Sequence, residues 1–310
     1  MTNDKRPDNV YLIDVKMFGF NGWCSAFLVA GEEVALIDTG PATSAEVVRA
    51  GIVKSGFALG DITRIFITHF HNDHSGSAGI LLKEMPKAKV FVHPRSAKHL
   101  IDPSIIIANM KREGGEKMAA RFGEASPVPA QRVQALTDGE VFDLGKGEKL
   151  KVIFTPGHAT SAIAIVEEKN RGIFTGDTPG IYLVKEDLLI VPSPFGSDLK
   201  QAMESLKVLT EIQAKWLFLG HFGICDTPKR IIETALKKMQ RYWTIASETM
   251  GENKPTDELI RRIIAENSSA VKQIQQRNDG LYEYFTEELI PMWARGFANY
   301  YVKQQAGTKA

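Results

Sequence analysis

Ile65-Phe66-Ile67-Thr68-His69-Phe70-His71-Asn72-Asp73-His74-Ser75-Gly76 is a short apolar run that ends in four coordinating side chains. The segment Arg64–Ile67 reads as a buried strand. His69, His71, Asp73 and His74 follow within six residues, too close together to share one face of a regular strand or helix. A loop leaving the strand end can turn all four inward. Neutral imidazole and carboxylate are favoured ligands of zinc, iron or manganese. Burying so many of them beside a strand end without a cation would carry a desolvation cost. The bland alternative is a solvated histidine-rich turn.

Three more stretches repeat the arrangement. Thr155-Pro156-Gly157-His158, Phe174-Thr175-Gly176-Asp177 and Phe218-Leu219-Gly220-His221 each set a potential ligand just past a strand-like run, next to a glycine. One such stretch would mean little. Their agreement with the first points to a metal site built at strand ends.

Around these stretches, short β-branched runs alternate with amphipathic ones. Strands are predicted at Tyr11–Val15, Ala26–Val29, Val34–Ile37, Val90–Val92, Leu150–Phe154, Ala162–Val166, Gly172–Phe174 and Trp216–Leu219, with a hairpin turn at Gly31-Glu32. Helices are predicted at Thr43–Ser55, Ser75–Lys83 and Leu199–Leu209. Ser104–Arg121, helical and Met-containing, interrupts the rhythm within a wider insertion of about residues 95–134, placed near the mouth of the site. From Pro228 the strand-like runs stop. Helices are predicted from Pro228 to Gly251, from Thr256 to about Gln275, and over Leu281–Lys303 with a bend or restart at Pro291. The expected division is a catalytic domain over 1–225 and a helical region over 226–310.

The set His69-Phe70-His71-Asn72-Asp73-His74, His158, Asp177 and His221 resembles the metallo-β-lactamase superfamily, and Leu36-Ile37-Asp38-Thr39-Gly40 resembles its early motif. The resemblance implies an α/β (α+β) fold, a four-layer αββα sandwich, here with a C-terminal α-helical appendage. It implies that His69, His71 and His158 bind one metal, that Asp73, His74 and His221 bind a second, and that Asp177 bridges them. Two divalent ions are expected, zinc first, with iron or manganese as alternatives. Asp38 is expected to support a ligand from behind, the alternative being a strand-end carboxylate that caps the Gly40 turn. A hydroxide held between the metals would attack an ester, thioester, lactone or phosphoester, with Asp73 as the catalytic carboxylate that orients it. True β-lactamases often carry Cys where this chain has Asp177, and the flavodiiron branch usually carries Glu where it has His71, so both activities are disfavoured. An iron-dependent persulfide dioxygenase, a nuclease and a ligand-sensing protein of the same fold remain alternatives.

Composition narrows the rest. The chain has 310 residues, 44% hydrophobic and 24% charged, enough for a sizeable core. A net charge of +1 and no basic stripe argue against nucleic acid and anionic membrane as partners. Two cysteines, Cys24 and Cys225, a polar start (MTNDKRPDNV) and no apolar run of roughly 20 residues suit a cytoplasmic protein acting on a small molecule. Tyr182 is a candidate substrate contact, or else a loop aromatic packed on the core. His93 is read as structural, His99 as solvated and both cysteines as core. Tyr242, Trp243, Met250, Tyr282, Tyr284, Phe285, Met292, Trp293 and Phe297 make the last helices rich in apolar surface. That surface is expected to be their own core or a homodimer interface, or to cap the site.

Overall fold

The structure is a computed structural model that describes residues 6–193 and 196–307; the first residues of the polar start and the last three of the helical region lie outside them. Strands β1 (Val10–Asp14), β2 (Ser25–Ala30), β3 (Val34–Ile37), β4 (Ile62–Ile67), β5 (Lys89–Val92) and β6 (Val133–Ala135) form one sheet in that order. Strands β7 (Val141–Gly145), β8 (Glu148–Phe154), β9 (Ile163–Glu167), β10 (Gly172–Gly176), β13 (Trp216–Leu219) and β14 (Gly223–Cys225) form the second. Between β10 and β13, the strands β11 (Ile181–Leu183) and β12 (Leu188–Ile190) make a separate hairpin.

The unbroken apolar runs read in the sequence belong to strands covered on both faces. In β2 and β3, Phe27, Val29, Ala35 and Ile37 point into the space between the sheets, where they meet Leu150, Val152, Ile163, Phe174 and Phe218. The alternate residues Ala26, Leu28 and Leu36 point outward, into a second cluster that holds Val48 and Ile52 of the helix Ala45–Lys54. Phe27 lies 5.3 Å from Phe174, ring to ring, and joins the sheets. The result is the four-layer sandwich expected, with helices outside two facing sheets.

Parallel pairing matters for the site. β3, β4, β5 and β6 run parallel to one another, as β10 does to β13. The chain therefore leaves β4, β10 and β13 through loops that can converge at one edge.

Five short strands were not predicted: β6, β7, β11, β12 and β14. Each has five residues or fewer, and β7, at a sheet edge, buries only Leu144, giving a weak apolar signal. The last residues of the predicted insertion, at β6, thus return to the sheet. The helix expected at Ser75–Lys83 is broken into Asn72–Ser75, Ala78–Leu81 and a turn at Leu82–Glu84. The break falls at Ser77, whose hydroxyl donates to the Pro41 carbonyl over 2.6 Å.

The C-terminal region is helical over Pro228–Gly251, Thr256–Glu266, Ser268–Gln275 and Ile290–Gly307. Asn267 splits the helix predicted over Thr256–Gln275. Its buried side chain accepts from Tyr242 and Lys238 and donates to the Ile263 carbonyl. The restart expected at Pro291 is real: a π-helical turn, Tyr284–Leu289, precedes the last helix. Proline has no N–H and its ring crowds the preceding turn, so a widened turn ahead of it relieves the clash. Tyr242, Phe285, Trp293 and Phe297 are buried and belong to one cluster with the sandwich's outer face. No helix among the described residues is long and apolar enough to cross a membrane.

Candidate metal centre

All seven predicted ligands come together. His69 follows β4 directly; His71 stands at the start of the short helix Asn72–Ser75, which carries Asp73 and His74. The Ser75 hydroxyl donates to the Phe70 and His71 carbonyls and ties this loop to itself. Thr39, at the end of β3, donates to the His74 carbonyl from both its N–H and its hydroxyl. From the second sheet come His158 after β8, Asp177 after β10 and His221 after β13. Gly220 leaves room for them: a methyl there would lie 2.7 Å from Cε1 of His74 and 3.1 Å from Oδ1 of Asp177.

Two groups of donor atoms form. Nδ1 of His71 lies 2.9 Å from Nε2 of His69 and 3.0 Å from Nε2 of His158. Oδ2 of Asp73 lies 3.2 Å from Nε2 of His221 and 3.8 Å from Nε2 of His74. Asp177 touches both groups, with Oδ1 3.3 Å from Nε2 of His74 and Oδ2 3.4 Å from Nε2 of His158.

The donor set fits divalent cations. Three imidazole nitrogens crowd one point, where shared protons cannot satisfy them all. Nε2 of His74 and Oδ1 of Asp177 are buried and have no hydrogen-bond partner among the described residues. Two outward nitrogens are already engaged: Nδ1 of His221 donates to the Trp23 carbonyl over 2.8 Å, and Nδ1 of His74 meets Oδ2 of Asp38 over 2.8 Å. Each ring is thereby turned so that Nε2 faces the cluster. Asp38 is held in turn by the N–H and hydroxyl of Thr68, each over 2.8 Å. It lies behind His74, on the side of the ring away from the cluster.

Electrostatics agree. Burial holds His69 well below the usual imidazole range, and pushes His158 down to about 3. Burial opposes ionisation of Asp177, yet His74 and His221 outweigh it and hold the carboxyl well below its ordinary value. Burial likewise opposes a charge on His74, and Asp177, Asp38 and Asp73 outweigh it. The carboxylates thus favour positive charge on the His74 and His221 side, while burial disfavours it at His69 and His158.

The remaining candidates lie elsewhere. The hydroxyl of Tyr182, on β11, donates to Asp187 over 2.6 Å and accepts from Arg230 over 2.8 Å, so it is committed to that network; only its backbone N–H meets a ligand residue, at the His221 carbonyl. His93 caps the helix Pro94–Ile101, accepting from the Arg95 N–H. His99, expected in solvent, is half-buried, its ring 5.2 Å from that of Phe70. Cys24 and Cys225 are buried, and Sγ of Cys24 donates to the Asp73 carbonyl at 3.5 Å. Sequence reasoning missed Trp23, which acts through a backbone carbonyl and so has no side-chain signal. It also missed Thr68, which stands beside His69 in the opening motif. The helix Ser104–Phe122 touches the loop that carries His71 and Asp73, with Sδ of Met110 4.0 Å from Nδ2 of Asn72.

The sequence profile of the metallo-beta-lactamase superfamily matches residues 22–221. The metallo-beta-lactamase fold-containing protein ST1585 of Sulfurisphaera tokodaii is 31% identical over 221 residues, covering 69% of this chain and 78% of that protein. The probable metallo-hydrolase MJ0888 of Methanocaldococcus jannaschii is 28% identical over 217 residues, 68% of this chain and 94% of its own. An atrochrysone carboxyl ACP thioesterase of Aspergillus fumigatus is 23% identical over 180 residues, and the chain spans only 44% of its length. The crystal structure of ST1585 superposes with a TM-score of 0.65 at 27% identity, covering 76% of this chain and 87% of that one. Ligand loops on parallel strand ends, the sandwich that carries them and these likenesses agree: the chain belongs to the metallo-beta-lactamase superfamily.

Proposed function

We propose that this protein is a hydrolase that uses two divalent metal ions, zinc first among them, to cleave an ester or thioester of a small molecule. One observation carries the reading: Asp177 joins two complete three-residue groups, His69/His71/His158 and Asp73/His74/His221. The donors are nitrogen and oxygen throughout, which suits zinc, iron or manganese. When bound, the ions would lower the pKa of a water toward 7 and polarise a substrate oxygen.

The chain's own residues do the rest. Asp73 and His71 are half-buried while the other five ligands are buried, so these two line the opening. Asp73 keeps Oδ2 toward His221 and can orient the attacking water and take its proton. Phe18, Phe20, Trp23 and Tyr284 pack beside this edge and favour an apolar acyl or aryl group over a bulky charged one. The name of the Aspergillus relative, a thioesterase, is in keeping with that choice.

The test is a hydrolysis panel on protein of defined metal content, covering thioesters, esters, lactones and phosphoesters. Turnover of an acyl substrate that disappears in Asp73→Ala is expected. No hydrolysis at full two-metal loading, with oxygen uptake on a persulfide, would overturn the reading in favour of iron redox chemistry.

A further inference from the structure

Tyr284 opens the π-helical turn Tyr284–Leu289, a kind of turn that recurs at functional sites. It is 3% exposed. Its ring lies 5.4 Å from that of Phe18, 5.7 Å from Phe20 and 6.1 Å from Trp23. Trp23 stands 5.3 Å from the His221 ring, whose Nδ1 its carbonyl binds. Tyr284 is thus one aromatic ring away from a ligand.

The phenol is also gripped from outside. The Arg121 guanidinium, at the end of the insertion helix, lies 4.6 Å from the Tyr284 ring centre and 4.4 Å from that of Phe18. Glu288, one turn after Tyr284, holds Nη1 of Arg121 with both carboxylate oxygens, over 3.0 and 3.2 Å. The two elements that lie outside the sandwich therefore converge on one side chain. Its hydroxyl makes no hydrogen bond to any described residue and, unlike the caged ring, is not sealed from solvent, so it can take a partner from outside the chain. Burial first, and then the Asp73 carboxylate, push its pKa up, so it stays a donor across the neutral range.

We propose that Tyr284 contacts the substrate, donating a hydrogen bond to the oxygen that gains negative charge on the Asp73–His221 side of the cluster. The assignment rests on the hydrolytic reading above. It makes the C-terminal helices part of the active site as well as its wall.

Tyr284→Phe removes the hydroxyl and keeps the ring in its cage. In the metal-loaded protein, kcat for a hydrolysed ester is expected to fall about 100-fold with KM little changed, as for loss of one oxyanion donor. Inorganic phosphate, a tetrahedral oxyanion titrated by calorimetry, is expected to bind about tenfold more weakly, with metal content and unfolding midpoint unchanged. Unchanged kcat and unchanged phosphate affinity in fully loaded Tyr284→Phe would overturn the proposal. A protein that hydrolyses nothing, yet loses phosphate affinity in Tyr284→Phe, would sink the hydrolytic reading and keep the tyrosine as an oxyanion contact.

Discussion

Oδ2 of Asp38 lies 2.8 Å from Nδ1 of His74, and this leaves the imidazole one nitrogen, Nε2, to offer the cluster. Asp38 itself sits at φ +57, a left-handed conformation that Asp and Asn tolerate better than other side chains.

That pairing makes Asp38→Asn an informative change, since it keeps the backbone preference and the size but removes the charge. Metal affinity is expected to fall by about 10- to 100-fold, the usual loss when a partner behind a ligand is altered. Competition against a chromogenic chelator measures it, and an affinity equal to that of the unaltered protein would show that His74 needs no such support.

Chelation should loosen the whole molecule. Five buried imidazoles and carboxylates would then face one another with no cation between them. The unfolding midpoint is expected to drop by about 5 °C or more on metal removal and to recover on readdition. Asp177→Ala should lower bound metal per chain and abolish the recovery. A chelator-treated protein with an unmoved midpoint would argue that the cluster holds no ion.

A second buried carboxyl pair lies at the start of β8 and the end of β9. Glu148 and Glu167 are both fully buried, and Nδ2 of Asn9 and Asn170 bind one each. Burial, then the neighbouring Glu167, push Glu148 up to about 8 from 4.5. The folded state therefore binds a proton that the unfolded chain releases near its ordinary value. This stabilisation is complete below about pH 4.5 and is lost as pH rises through about 8. Denaturant titrations should show stability declining across that window, by on the order of 2 kcal/mol, and Glu148→Gln should flatten the decline. A variant with the same slope would rule the pair out as its source.

Gly296 of the last helix packs against the Ser193 carbonyl so closely that an added Cβ would lie 1.6 Å from the oxygen. Gly296→Ala is expected to cost about 1–3 kcal/mol, as overpacking does. Ser193 would have to yield, and its hydroxyl lies 2.9 Å from that of Ser197, next to Asp198, whose N–H binds the Gly157 carbonyl beside His158. Equilibrium unfolding reads the loss; full stability would mean that the helix shifts freely.

The candidate ligand set was legible because its members follow strand ends closely, and strand cores such as Arg64–Ile67 or Trp216–Leu219 announce themselves by apolar runs. The pair Gly176/Asp177 and Gly220/His221 was equally plain. Tyr182 was a different matter. It follows Asp177 by a few residues, but the hairpin of β11 and β12 carries its hydroxyl to Asp187 and Arg230, and neither strand is long enough to be read from a sequence pattern. Tyr284 was legible only as one of many apolar side chains in the last helices. Its place beside Trp23 depends on contacts between residues far apart in the chain, which no local pattern encodes. The break at Asn267 was hidden for the same reason, since Tyr242 and Lys238 on another helix hold it.

The strand-end ligands carry one more consequence. Four of the seven hang from the first sheet and three from the second, and the segments that bear them are spread from residue 69 to residue 221. No stretch of chain can assemble them alone, and β10 must lie beside β13 before Asp177 and His221 are neighbours. The centre is therefore born late, at the moment the two halves of the sandwich close. A fragment ending before β13 would keep most of the histidines and none of the chemistry.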